Sequence, residues 1–159
     1  MGRLADCRRV SGATGHRVVN RRSFVDITDS IQAILNSHER VVEGFYKRLL
    51  ETHPDLRHHF QNRDLTVQAS MVTMGLVSVE AWYSNRFPAT GHYLKVLGHR
   101  HFHDGVRRED LPKFRDTLLE TLSEFHADEW NDALRQQWFE AIDLAISVML
   151  EGYTRSYTY

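Results

Sequence analysis

The sequence is short of several features that mark particular classes of protein. A single cysteine, Cys7, rules out an internal disulfide. No apolar run approaches the roughly 20 residues that a membrane-spanning helix needs, and residues 1–22 lack the apolar core of a secretory signal. The formal net charge of −1 argues against the whole chain as an electrostatic binder of nucleic acid or membranes. We therefore expect a cytoplasmic protein with no transmembrane segment and no nucleic-acid partner.

Residues that interrupt helices are also scarce, with three prolines and nine glycines in 159 residues. The length is that of one ordinary domain, and 42% hydrophobic with 26% charged residues is a globular composition. Residues 1–22 differ, because six arginines stand against one acidic residue and no apolar period is present. We predict a basic, flexible extension over residues 1–22 and one folded domain over residues 23–159.

From Ser23 onward the apolar residues recur at helical spacing, and no stretch alternates with the period of a strand. Asp64 is placed to begin one helix, and another is predicted from about His92, ending at Gly105. Asp128 is predicted to cap the last helix. The pattern predicts an all-α chain of six or seven helices that pack against one another.

His101 shares the apolar face of a predicted helix with Leu94 and Leu97. A buried imidazole needs partners for its ring nitrogens, and a metal ion can serve one while a backbone carbonyl one turn earlier serves the other. A core histidine that is satisfied by hydrogen bonds alone is the ordinary alternative. His99 and His103 would complete a zinc site with it only on a strand, because each helical step turns by about 100°.

Two further polar residues interrupt the apolar faces of other predicted helices. Tyr46 lies beside the core position of Phe45, and Gln68 interrupts the apolar stripe that contains Val72. Each has an ordinary explanation, as a bonded core hydroxyl or as the edge of a stripe. Together with His101, three polar groups on three separate apolar faces indicate that they converge on one pocket.

The chain resembles bacterial single-domain globins and the globin domain of flavohaemoglobins. The resemblance is carried by residues 45–56, FYKRLLETHPDL, by Phe60 and Gln68 after them, and by residues 97–106, LGHRHFHDGV. Residues 149–153 extend it, and the order and spacing of these motifs agree over most of the chain. It implies an all-α globin fold, a three-on-three helical sandwich around one haem b, over residues 23–159.

The resemblance also implies roles for individual residues. His101 is the expected proximal ligand of the iron, and Phe60 is expected to hold the porphyrin edge. Tyr46 and Gln68 are expected to bind the gas on the distal side through hydrogen bonds. The remaining haem-binding residues are expected to form apolar walls: Val72, Leu97, Val106, Leu111 and Phe114.

Three positions depart from the resemblance. Leu111 stands where flavohaemoglobins that dioxygenate nitric oxide have a tyrosine beside the proximal histidine. Arg155 stands near their glutamate, with Glu151 one turn earlier. Met71 stands where a basic residue often reaches a haem carboxylate, and Arg100 is the candidate to replace it. The differences at Leu111 and Arg155 weaken the expectation of that enzymatic activity.

We expect reversible binding of O2, and also of CO and NO, for oxygen storage, delivery or scavenging. Two alternatives stay open: nitric oxide detoxification by dioxygenation with an external reductase, and a haem-based gas sensor. A haem-free helical interaction module is a further alternative. For the iron itself, a second histidine ligand from His58 or His59 is also conceivable.

Overall fold

The computed structural model of the chain describes residues 25–61 and 64–154. These residues contain helices and no strand, which confirms the all-α prediction. The α-helices are α1 (Ile27–Leu35), α2 (His38–Thr52), α3 (Leu65–Asn85), α4 (Pro88–His103), α5 (Leu111–His126) and α6 (Asp132–Gly152). Short 3-10 helices lie between them at Pro54–Phe60, Arg108–Asp110 and Ala127–Glu129. The predicted extension over residues 1–22 lies outside the described residues, as does Arg155.

Side-chain caps set the beginnings of α3 and α6. The Asp64 carboxylate accepts a hydrogen bond from Thr66 N at 2.7 Å, so α3 begins where the sequence predicts. The predicted cap at Asp128 is wrong, because Asp128 lies in the preceding 3-10 helix. Asn131 caps α6 instead, and its side chain accepts a hydrogen bond from Leu134 N at 2.9 Å.

The helix that carries His101 is longer than predicted. α4 begins at Pro88 rather than at about His92. A proline is well suited to the first turn of a helix because its nitrogen has no hydrogen to satisfy there. At the other end α4 stops at His103, and Gly105 turns the chain with a φ of 81°, a conformation that favours glycine.

α6 lies at the centre of the packing. It runs along α4 and also contacts α3 and α5, while α2 packs along α5. Trp138 of α6 is fully buried, together with Leu49 of α2, Leu94 of α4 and Leu122 of α5. In this described part of the chain no helix combines the length and the apolar character that crossing a membrane requires.

Two glycines allow α4 and α6 to touch through their backbones. A Cβ added to Gly98 would overlap the carbonyl oxygen of Met149 and lie 2.7 Å from its Cα. A Cβ added to Gly152 would overlap the carbonyl oxygen of Lys95 and lie 2.9 Å from His99 N. This reciprocal contact fixes the distance between the two helices, and so it sets where the segment carrying His101 stands.

A buried polar network holds α1 against α5 and α6. The indole Nε1–H of Trp138 donates to Ser30 Oγ at 2.9 Å, and Ser30 Oγ lies 2.7 Å from His126 Nε2. The Ser30 hydroxyl, which accepts from Trp138, still has its own hydrogen to donate, and Nε2 of a neutral His126 with its hydrogen on Nδ1 is a suitable acceptor. Burial lowers the pKa of His126, which agrees with that state.

Candidate functional site

A cavity of about 700 Å³ lies between α3 and α4, with α2, α5 and α6 forming its other walls. Such a volume is within the usual range of small-molecule and cofactor sites, which is roughly 300–1,000 Å³. The structure brings every predicted site residue to this one cavity. Those residues are Tyr46, Phe60, Gln68, Val72, Leu97, His101, Val106, Leu111 and Phe114.

The orientation of His101 is set by its own helix. Its Nδ1 lies 2.8 Å from the carbonyl oxygen of Leu97, one turn earlier in α4. A carbonyl oxygen only accepts, so Nδ1 carries the hydrogen and donates it. In the neutral ring the lone pair is then on Nε2, which is the form in which an imidazole binds a metal ion.

The loop after α4 is tied to His101 as well. Val106 N donates to the carbonyl oxygen of His101 at 2.9 Å. Val106 and Leu111 are both buried, and they pack with Met149 and Tyr153 in one cluster at this wall of the cavity. Because position 111 is leucine, it offers no side-chain hydroxyl to the cavity wall near His101.

The other polar side chains of the predicted site come from α2 and α3. The buried Tyr46 donates its hydroxyl hydrogen to Gln68 Oε1 at 3.2 Å. With its oxygen engaged in this way, the Gln68 amide directs its two N–H donors elsewhere. The Phe60 ring packs edge-on against Tyr46, with ring centroids 5.1 Å apart, and Phe114 lies 6.3 Å from Phe60. An aromatic cluster thus supports the tyrosine.

The mouth of the cavity is apolar along α3. Val67, Met71 and Met74 line it, although they are 54%, 49% and 58% exposed. Large apolar side chains exposed in a row on a cavity rim are typical of a surface that a ligand covers. Arg100 of α4 also lines the cavity, and its guanidinium has no hydrogen bond or ion pair to another described residue.

The histidines near the cavity occupy different positions. His59 lines it beside Gly105, and burial together with the neighbouring His58 lowers the pKa of His59. His58 is exposed, and its Nδ1 lies 2.7 Å from the carbonyl oxygen of Asp55. On α4 the rings of His99 and His103 lie 4.4 Å apart, while His101 faces the cavity.

Sequence reasoning missed one whole wall of the cavity. Four residues of α6 line it at helical spacing: Ile142, Ala145, Ile146 and Met149. Their apolar stripe is visible in the sequence, but its assignment to the cavity rather than to the general core depends on how α6 packs. Phe45, Val79 and Leu118 were missed for the same reason.

Comparison with known proteins places these features in context. The globin family model matches residues 43–149. A flavohemoprotein from Rhizobium meliloti is 26% identical over 138 residues, which cover 82% of this chain and 34% of the relative. One from Halalkalibacterium halodurans is 24% identical over 126 residues, which cover 78% of this chain and 31% of the relative. This chain therefore spans about a third of the length of these relatives.

A plant protein matches a shorter part. An anaerobic nitrite reductase from Gossypium hirsutum is 38% identical over 56 residues, or 35% of this chain and 34% of the relative.

Proposed function

The chain belongs to the globin family, and we propose on this premise that it binds one haem b in the cavity, with His101 as the proximal iron ligand. Tyr46 and Gln68 face the gas, which is O2 and also CO or NO, bound reversibly. The role that we propose is oxygen storage, delivery or scavenging. The family implies the haem cofactor, and together with the helical structure it confirms the globin fold expected from the sequence.

The lining of the cavity fits a flat, largely apolar ring with two carboxylates at one edge. The exposed apolar rim of Val67, Met71 and Met74 would be covered by such a ring. Arg100 is a guanidinium at the cavity with no hydrogen bond or ion pair to another described residue, and guanidinium groups bind carboxylates through strong, charge-assisted hydrogen bonds. It therefore takes the place of the basic residue that is absent at Met71.

The observation that carries the proposal is the arrangement of His101. Its hydrogen bond to Leu97 O at 2.8 Å both orients the ring and selects the tautomer with the Nε2 lone pair. Tyr46 of α2 and Gln68 of α3 line the same cavity as His101 of α4. One lining therefore offers a metal-binding nitrogen and a pair of hydrogen-bonding side chains.

Haem, when bound, supplies a ferrous iron that takes a diatomic gas. The remaining functions fall to the protein. Gln68 would offer its N–H donors to the bound gas, and Tyr46 holds the amide in place through its hydroxyl. The apolar walls exclude water, and His101 keeps its Nδ1 hydrogen on Leu97 O.

The enzymatic alternative needs more than this cavity. Nitric oxide dioxygenation consumes electrons, which an external reductase would have to supply. Leu111 adds only hydrocarbon to this wall of the cavity and provides no hydroxyl beside the proximal histidine. We therefore favour reversible gas binding over that activity.

The first experiment titrates purified protein with haemin and records the visible spectrum in the oxidised, reduced and CO-bound forms. We expect a sharp, stoichiometric Soret band that shifts completely with CO. His101→Ala should abolish the reduced five-coordinate histidine spectrum, whereas His103→Ala, which alters an exposed histidine of the same helix, should preserve it. Absence of saturable haem binding would refute the proposal.

The second experiment tests the gas-binding side. Tyr46→Phe removes the hydroxyl that holds the Gln68 amide toward the gas. It should accelerate O2 release by about tenfold, the change that loss of one hydrogen bond of about 1–2 kcal/mol produces. Tyr83→Phe is the matched control, since the Tyr83 hydroxyl bonds Glu140 at 3.1 Å and does not line the cavity. Equal O2 release rates in the Tyr46 variant and wild type would remove the tyrosine from the mechanism.

A further inference from the structure

The loop between α4 and α5 is organised around a buried carboxylate. Asp110 has 0% of its surface exposed, and its oxygens accept hydrogen bonds from three nitrogens of Arg107. The distances are 3.1 Å to the backbone N, 3.3 Å to Nε and 3.3 Å to Nη2. Lys113 Nζ, from the first turn of α5, adds a fourth bond at 3.0 Å. The carboxylate thus closes the loop on itself and joins it to α5.

Lys113 extends this network to the Pro54–Phe60 segment, which also lines the cavity. Its Nζ also lies 2.7 Å from Asp55 Oδ2, in the Pro54–Phe60 helix. That short helix ends at Phe60, whose ring packs against Tyr46. A chain of charged contacts therefore links the loop after the proximal histidine to the segment that supports the tyrosine.

Burial distinguishes Asp110 from an ordinary surface ion pair. Exposed pairs contribute little because water and salt screen them. A carboxylate with no exposed surface is stabilised by its hydrogen-bond donors instead of by water. Removing its charge leaves the cationic groups of Arg107 and Lys113 without this counter-ion. Burial by itself would raise the pKa of Asp110, but the bonds from Lys113 and Arg107 outweigh it and lower the pKa to about 2. Asp110 is therefore ionised at every physiological pH.

The loop that Asp110 closes is in direct contact with the proximal histidine. Val106 N donates to the carbonyl oxygen of His101, and Val106 and Leu111 on either side of the closed turn both line the cavity. Gly105 of the same loop lies beside His59 in the Pro54–Phe60 segment. A shift of the loop would therefore move both a wall of the cavity and the end of the helix that carries His101.

We propose that Asp110 is a positioning residue for the haem site. It holds the loop that follows the proximal histidine and, through Lys113 and Asp55, fixes the position of that loop relative to the segment carrying Phe60. The inference rests on the proposed function, because it assigns to these residues the retention of haem and the geometry of the proximal bond. None of the three lines the cavity.

The experiment compares haem-loaded wild type with Asp110→Asn, which retains the shape of the side chain and removes its charge. Haem loss is followed by transfer to excess apomyoglobin, and the iron–histidine stretching band is recorded by resonance Raman in the reduced, gas-free protein. We expect haem loss to become about tenfold faster or more, since a hydrogen bond to a charged group commonly contributes a factor of that order. We also expect the stretching band to shift or broaden, which a general loss of stability would not produce.

Two further variants separate the arms of the network. Asp55→Asn weakens only the contact between Lys113 and Asp55, so it should accelerate haem loss less than Asp110→Asn and leave the stretching band in place. Lys113→Gln removes the contacts of Lys113 with both Asp55 and Asp110, and adding Asp55→Asn to it should cause no further acceleration. If Asp110→Asn does not fold, these two variants and their combination still decide the matter. Glu120→Gln is the control, because Glu120 pairs with Arg48 at an exposed site that does not line the cavity.

An Asp110→Asn protein with wild-type haem loss and an unchanged stretching band would overturn the inference, even if it unfolded at a lower temperature. Equal effects of Glu120→Gln and Asp110→Asn would overturn it as well. If wild-type protein took up no haem at all, the proposed function would fail first and this inference with it. The two failures are therefore distinguishable.

Discussion

Gly98→Ala tests whether the contact between α4 and α6 positions the site. The added Cβ would overlap the carbonyl oxygen of Met149 and lie 2.7 Å from its Cα, whereas carbon atoms in a packed interior approach to roughly 3.5 Å. The obstacle is backbone, so the two helices must separate by an amount on the order of 1 Å. Overpacking of this kind costs about 1–3 kcal/mol, and alanine recovers about 1 kcal/mol of helix propensity. Since no flexible side chain can give way, we take the upper end of the overpacking cost. After the gain in helix propensity, the free energy of unfolding should fall by about 2 kcal/mol.

The assay is urea unfolding of the purified protein, with Gly44→Ala as the matched control. Gly44 is also inside a helix, but a Cβ there meets only Thr121 Cγ2 at 3.7 Å, an ordinary contact. This control should therefore gain about 0.5–1 kcal/mol from helix propensity. In the haem titration, Gly98→Ala should also weaken binding, because His101 follows one turn later on the displaced helix. A Gly98→Ala protein as stable as Gly44→Ala would show that the helices are not held in backbone contact.

Three other predictions concern the buried network and the turn beside it. Burial lowers the pKa of His126 from 6.5, with Glu129 opposing in part, so the unfolded chain binds the extra proton more readily. The contribution of neutral His126 to stability is then complete above about pH 6.5 and is lost as the pH falls below that value. In urea unfolding, the free energy of unfolding should fall more steeply with decreasing pH for wild type than for His126→Gln. Equal slopes would contradict the buried neutral state. Ser30→Ala leaves the Trp138 indole N–H without its acceptor and should cost about 2 kcal/mol, measured by the same assay. Ala127 adopts φ 47° and ψ −117°, a region suited to glycine, so Ala127→Gly should raise stability by about 1 kcal/mol, and a lower melting temperature would refute the strain.

Several local features were predictable from neighbouring residues alone. Asp64 begins α3 because a carboxylate at that position accepts from the first free N–H groups of the helix. The start of α4 was predicted too late, at His92, because the hydrophobic period becomes visible only after the first turn, while Pro88 already fits that turn. Asp128 and Asn131 are equally good caps in isolation, and the 3-10 turn between α5 and α6 decides between them.

In the candidate site, the sequence by itself determined only those contacts that follow from the geometry of a single helix. A histidine on a helix has the carbonyl of the residue four positions earlier within reach, so the bond from His101 to Leu97 O follows from position alone. The contact between Tyr46 and Gln68, the wall contributed by α6 and the path from Asp110 to Asp55 were decided only by tertiary structure. Each of these joins residues from different elements, and their separation depends on the angle and distance at which those elements pack. Periodicity shows which face of a helix is buried, but the neighbour of that face is determined only when all the helices have packed around a common core.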